Sequence, residues 1–270
     1  MSDRSERLRE LIAIGSADLT ADSPWIVIAA VPGESVGGPA DLAGERLRAW
    51  VRQQVAVWPA PVSLGRDLPR LRVGDGDVAP AAVGPHIGTA TFASMRSPVE
   101  RYHCTFGADG SSVLALPVGG LRDSPADGER VLAIGEGAVA WITVAGLRLA
   151  AAFAARTGAR GRALVELTIG SSGDGGAATY EVWNRDAHGF RPVGNRLATV
   201  RPVRGSVDLV ACLAAGLPGT ARPLVLDLLR QFGLSESRHI DAGGVLRSRN
   251  FTGYDQRILA WSRAIGVPSE

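Results

Sequence analysis

The chain has 270 residues, 46% of them hydrophobic and 21% charged, a balance that supports a packed core and excludes wholesale disorder. Arginine supplies all 29 basic charges against 27 acids, so the formal +2 is too even for a general polyanion binder. Two cysteines exclude a disulfide framework.

Residues 5–19 place Leu8, Leu11 and Ile12, and further apolar positions a turn later, between charges; this is the period of an amphipathic helix. The charged opening at 1–7 has no apolar run behind it and does not read as a secretory signal, so a cytoplasmic protein is expected. Pro24 precedes the unbroken apolar run Trp25 to Val31, whose length and β-branching predict a buried strand. Asp41 fits an N-cap for a helix to about residue 55, with Leu42, Leu47, Trp50 and Val51 turned inward. Pro59, Pro61, Pro69, Pro80, Pro85 and Pro98 then break 56–97 into short pieces such as 71–73 and 87–92.

From residue 99 the pattern sharpens. Strands are predicted at 99–106 and 112–118, joined by the turn signal Ala108-Asp-Gly110, and 119–128 reads as loop. The apolar stretch 131–155 is a membrane-span candidate by length. Glu136, Arg148 and three glycines interrupt it, however, and a central Arg costs roughly 2.5–3.5 kcal/mol on insertion. The reading is therefore a buried helix over 137–156, capped by Gly158, with no membrane association. Strands follow at 163–169, 179–185 and 197–203, and helices at 207–215 and 222–232. A hairpin at 239–249 turns at Asp241 to Gly244, and a helix at 254–265 sends Ile258, Leu259, Trp261 and Ile265 inward. Hairpins mixed with helices predict an α+β fold, a largely antiparallel sheet under helices, in two lobes at 1–97 and 98–270.

Chemistry-bearing patterns are sparse. His86, His103, His188 and His239 are widely separated, and no metal-ligand spacing links them, so no metal site is predicted. His103 and Cys104 are neighbours on a strand and point to opposite faces, and Cys104 and Cys212 both read as core fillers. Ile169-Gly-Ser-Ser-Gly173 is one residue short of a nucleophile elbow. Without lysine there is no phosphate-binding P-loop; Gly135-Glu-Gly137 lacks the third glycine of a dinucleotide loop, and Gly74-Asp-Gly-Asp77 lacks the further ligands of a calcium loop. No catalytic residue and no cofactor is predicted. Charge has a direction, though: 196–270 holds 10 Arg and 6 acids, while 1–195 holds 19 Arg and 21 acids. Arg201 and Arg204, and Arg247 and Arg249 alternating on one strand face, are the candidate phosphate contacts, with Phe251 and Tyr254 the nearby aromatics.

Four stretches, in order, resemble a known family. They are Ser23-Pro-Trp-Ile-Val-Ile-Ala-Ala-Val-Pro-Gly33, the 101–118 hairpin, Leu224-Val-Leu-Asp-Leu-Leu-Arg-Gln-Phe-Gly-Leu234 with Ile240-Asp-Ala-Gly-Gly-Val-Leu-Arg247, and Ala260-Trp-Ser-Arg-Ala-Ile-Gly-Val267. Together they resemble the region downstream of the AlbA_2 domain in actinobacterial Schlafen-type ATP-binding or regulatory proteins. The resemblance implies a cytosolic accessory protein. The AlbA_2 domain, to which that family's nucleotide-linked activity is ascribed, has no counterpart in these residues, so no functional residue carries over. The leading expectation is a non-catalytic interaction or regulatory module whose partner is another protein or a second copy, with Leu8, Leu11 and Ile12 as its contact surface. A nucleic-acid-binding factor using the C-terminal arginines is the second reading, and an enzyme with a dispersed site is the third.

Overall fold

A computed structural model describes residues 2–17, 19, 21, 23–35, 50, 72–74, 86–93, 101–171, 179–186, 189–251 and 254–270. Helix α1 (Ser2–Ser16) precedes β1 (Trp25–Val31), β2 (Arg72–Gly74), β3 (His86–Ala93), β4 (Arg101–Gly107), β5 (Ser112–Pro117), β6 (Gly119–Asp123) and β7 (Arg130–Gly135). The long helix α2 (Glu136–Thr157) leads to β8 (Arg162–Gly170), β9 (Thr179–Asp186), β10 (Gly189–Leu197) and β11 (Val203–Asp208). A single-turn helix α3 (Leu209–Cys212), α4 (Leu217–Gln231), a 3-10 turn (Ser248–Asn250) and α5 (Asp255–Ile265) complete the chain.

The strands form two sheets. One has seven strands in the order β11-β8-β1-β5-β4-β3-β2, and the other four in the order β10-β9-β7-β6. Every pairing is antiparallel except β7 with β9, which makes the fold α+β with mostly antiparallel sheets.

All seven residues of β1 are buried, and their alternation explains why. Ile26, Ile28 and Ala30 face the main core under α2, while Trp25, Val27, Ala29 and Val31 face α1. A strand covered on both faces loses the polar alternation of a half-exposed one. Helix α2 is apolar nearly all round because it too is enclosed, packing on β1 and β5 of one sheet and on β7 and β9 of the other. It is long and apolar enough to cross a membrane, yet 78% of its most apolar window is buried inside the protein. Gly146 permits this packing, since a Cβ there would lie 3.1 Å from Ile28 and 3.2 Å from Leu114. Gly158, with φ 76°, caps the helix in the left-handed conformation.

Several expectations are corrected. Leu8 and Leu11 are fully buried against β1 and β5, with Ile12 partly buried beside them, so this stripe is the seam that holds α1 to its own sheet and not a free contact surface. Strand β1 is hydrogen-bonded between β5 and β8, so the sheets do not part at residue 97. The stretch 119–128 begins with strand β6, and the strand expected at 197–203 is the connection between two strands, β10 ending at 197 and β11 starting at 203. Helix α4 starts at Leu217, five residues before the expected 222, with Pro218 in its first turn. The hairpin at 239–249 is reduced to a single bridge, Ile240 to Leu246, followed by the 3-10 turn; Arg247 and Arg249 therefore do not alternate on a strand face. The helix expected at 41–55 and most of 56–97 lie outside the described residues.

Candidate functional site

The parallel strands β7 and β9 end side by side, and β7 passes directly through Gly135 into α2. Gly135 brings no side-chain cap, so Glu136 places its carboxylate at the positive end of the helix dipole. That carboxylate is 1% exposed and fully engaged. Its Oε1 accepts from the Arg238 backbone N–H at 2.7 Å, from His239 Nδ1 at 3.2 Å and from the Ser237 hydroxyl at 3.3 Å. Its Oε2 accepts from Asn184 Nδ2 at 2.5 Å. Burial is the largest single influence and works to raise the Glu136 pKa. The hydrogen bond and charge of His239, with the Asn184 and Arg238 donors, outweigh it and hold the group below its ordinary 4.5.

His239 is the other half of this clip. Its Nδ1 faces Glu136, and its Nε2 lies 3.1 Å from the backbone carbonyl of Asn250. Both neighbours are acceptor groups, so both ring nitrogens are occupied by contacts within the protein. Neither nitrogen is free to take a proton from a substrate. Ser237 is equally occupied, donating to Glu136 and accepting from the N–H groups of His239 and Ile240. A Ser, a His and a Glu stand together here, yet the geometry is that of a clip joining α2, β9 and the 237–250 loop. A Cβ at residue 137 would lie 2.8 Å from His239 Nε2, which explains the glycine at that position.

Over this clip opens a cavity of about 400 Å³. Trp141, Phe251 and Tyr254 line its inner side, and Trp183 and Phe190 its outer side. Trp141 packs edge-on against Trp261 at 4.7 Å and Phe251 at 6.1 Å, so the inner wall is rigid. The outer wall is looser: Phe190 is 53% exposed, and Arg122 and Arg185 each hold a guanidinium 5.9 Å from its ring centre. Beside it runs β6, exposed at both ends, with no strand on its outer edge among the described residues.

The four candidate phosphate contacts do not share one surface. Arg204 lies on the α1 side and grips the buried Glu166 at 2.5 Å. On the opposite side, α4 covers β11 closely enough that a Cβ at Gly205 would meet Leu224 at 2.8 Å, and Arg247 and Arg249 line a cavity that includes Arg222 of that helix. Arg201 stands in the connection before β11, its backbone held by Gln231. Phe251 and Tyr254 belong to the aromatic cavity instead.

Both cysteines are buried. Burial, helped by Asp208, pushes the Cys212 thiol up to about 12, and burial raises Cys104 further, so neither supplies a thiolate near neutral pH. No group of three or more His, Cys, Asp or Glu is placed to hold a metal among the described residues. The side chains of His86 and His103, all of His188, and most of Gly74-Asp-Gly-Asp77 lie outside those residues, as does Ile169-Gly-Ser-Ser-Gly173 from 172 onward. No protein family, curated protein or solved structure matches the chain, so the site is read from its own chemistry.

Sequence reasoning missed Asn184 and treated His239 as isolated. The one available signal was Glu136, a carboxylate inside the most apolar stretch of the chain. A buried acid there requires donors from elsewhere, and they come from 48 and 103 residues away.

Proposed function

We propose that this protein is a non-catalytic interaction module that captures an extended segment of a partner protein along β6, seating an apolar or aromatic side chain of that segment in the adjoining cavity. The observation that carries the reading is β6, an edge strand among the described residues, lying beside an aromatic-walled cavity. An edge strand offers a row of main-chain donors and acceptors, and a neighbouring pocket adds side-chain selectivity. Arg122 and Arg185 at the rim favour acidic residues flanking the anchor. The occupied state of Glu136, Ser237 and His239 weighs against a hydrolytic reading of the same place. The division of the candidate arginines between separate surfaces weighs against one continuous nucleic-acid surface. An accessory role in the cytoplasm, in line with the Schlafen-type resemblance, belongs to the same proposal, and the two buried free thiols fit it.

The test is selection from a random peptide library on the full-length protein. Enrichment of extended sequences with an aromatic or aliphatic anchor and acidic flanks is expected. Their binding should fall at least about tenfold in Phe190→Asp and in Arg122→Glu. No enrichment, or binding unchanged in both variants, overturns the proposal.

A further inference from the structure

A second cavity, of about 480 Å³, lies beside α4 on the outer side of the 237–250 loop. Four arginines line it, against the two carboxylates Glu236 and Asp241: Arg222 from α4, Arg238 from the loop that follows, and Arg247 and Arg249 from the segment leading to α5. Some arginines elsewhere in the protein are closely paired. Arg196 meets Glu129 at 2.7 Å, Glu181 at 2.8 Å and Asp127 at 2.9 Å, and Arg204 meets Glu166 at 2.5 Å. Around this cavity the pairing is loose or missing. Arg247 is 3.6 Å from Asp241 and 3.8 Å from Glu270, and Arg249 is 3.8 Å from the same Glu270 oxygen, all longer than the roughly 2.7–2.9 Å of a charge-assisted hydrogen bond. Asp241 is partly occupied, because its Oδ1 accepts the Val245 backbone N–H at 2.9 Å.

Arg222 and Arg238 go further. Among the described residues neither guanidinium has a hydrogen bond or ion pair, and the Nε of Arg222 is buried with no acceptor. A buried N–H donor without a partner is rare and requires a reason. The loop carrying Arg238 is fixed from behind: its backbone N–H donates to Glu136, and its carbonyl accepts from the Asn250 side-chain amide. The backbone that carries Arg238 is thus held in place, and the guanidinium groups around the cavity outnumber its carboxylates.

We propose that this cavity is an anion site for a tetrahedral phosphate group, either free phosphate or the phosphate of a small monoester. A carboxylate has two oxygens in one plane and is served by one or two arginines. A phosphate carries up to two charges and oxygens on every side, which suits guanidinium groups converging from three chain segments. The site does not depend on the peptide-capture reading and shares no proposed contact with it.

Isothermal titration of the full-length protein, at fixed ionic strength, with inorganic phosphate and separately with a nucleoside monophosphate tests the proposal. Saturable one-site binding of at least one probe is expected, with acetate silent. Equal affinity for both identifies the free ion as sufficient, and a monophosphate at least about tenfold tighter identifies the ester. Arg222→Gln should weaken binding at least about tenfold, as loss of a charged hydrogen bond does. Should Arg222→Gln fail to fold, the pair Arg238→Gln and Arg249→Gln, both at exposed positions, should abolish it. Arg201→Gln should leave it unchanged. Absence of saturable binding for both probes, binding of acetate as tight as phosphate, or binding retained in the folded double variant overturns the site.

Discussion

The loop 237–250 presents charged groups to two places, and they could hardly differ more. On its inner side the Arg238 backbone N–H and the His239 ring meet a carboxylate that receives four donors. On its outer side the Arg238 guanidinium faces a cavity with three other arginines and two carboxylates. Desolvating a charge is costly, and only complete pairing offsets that cost. The inner cluster is complete and therefore reads as a structural anchor. The outer cluster is incomplete, and an excess of guanidinium groups over carboxylates around a cavity describes a binding site better than a fold determinant. Removing a member of each cluster should thus act in opposite directions on stability.

The largest effect is expected at Glu136. Glu136→Ala strands the His239 ring, the Asn184 amide and the Arg238 N–H in the interior at once. Breaking one partner out of a buried pair costs about 3–5 kcal/mol. The urea midpoint should fall accordingly at unchanged slope. A loss below about 1 kcal/mol would mean that the clip contributes little, and the contrast between the two clusters would collapse.

An apolar yardstick from the opposite side of the molecule comes next. Leu11 is fully buried between α1 and β1, so Leu11→Ala should cost about 2–5 kcal/mol through lost transfer energy and the remaining cavity. The same urea titration measures it. If α1 were a detachable partner-binding arm, the change would be close to zero.

Acid should weaken the inner clip. Folded Glu136 titrates below its ordinary 4.5, so the unfolded chain takes up that proton first as pH falls. Its stabilising contribution is complete above the unfolded value and is lost as pH drops through the folded one. Unfolding free energy measured from pH 6 downward should therefore decline below about 4.5. Glu136→Gln should flatten that decline. An identical slope in the variant would assign the acid sensitivity to other carboxylates.

Much of the framework was legible and the clusters were not, for physical reasons. The apolar run Trp25 to Val31 reads as a buried strand because both of its faces are covered, and α2 reads as a buried helix because apolar residues surround it. Strand β6 begins Gly119-Gly120, and β10 includes Pro192 and Gly194 with a register shift after Val193; such edge strands carry no alternation to detect. An amphipathic pattern at Leu8 and Leu11 states that a face is buried but not by what, so it could not separate a partner from the chain's own sheet. Glu136 was conspicuous in its apolar surroundings, while Asn184 and His239 reach it only through tertiary folding. Arg247 and Arg249 mimic strand alternation, but Ser248 between them donates its N–H and hydroxyl to Glu270, and the Asn250 and Phe251 N–H groups close a 3-10 turn on the Arg247 and Ser248 carbonyls.

The smallest expected effect carries the opposite sign and completes the contrast. Arg222 is half-buried, its Nε has no acceptor, and no carboxylate pairs with it among the described residues. Arg222→Met keeps an unbranched apolar stem along the same path and removes the desolvated charge. Replacing a poorly satisfied buried polar group by an apolar one of similar shape is neutral to stabilising. Without phosphate, the variant should therefore gain about 0.5 kcal/mol in urea unfolding. With saturating phosphate the order should reverse, because the wild type binds it at least about tenfold more tightly, and a ligand at 100 times its Kd stabilises by about 2.7 kcal/mol. A variant less stable than wild type in phosphate-free buffer would show that Arg222 supports the fold, and the outer cluster would then belong with the inner one.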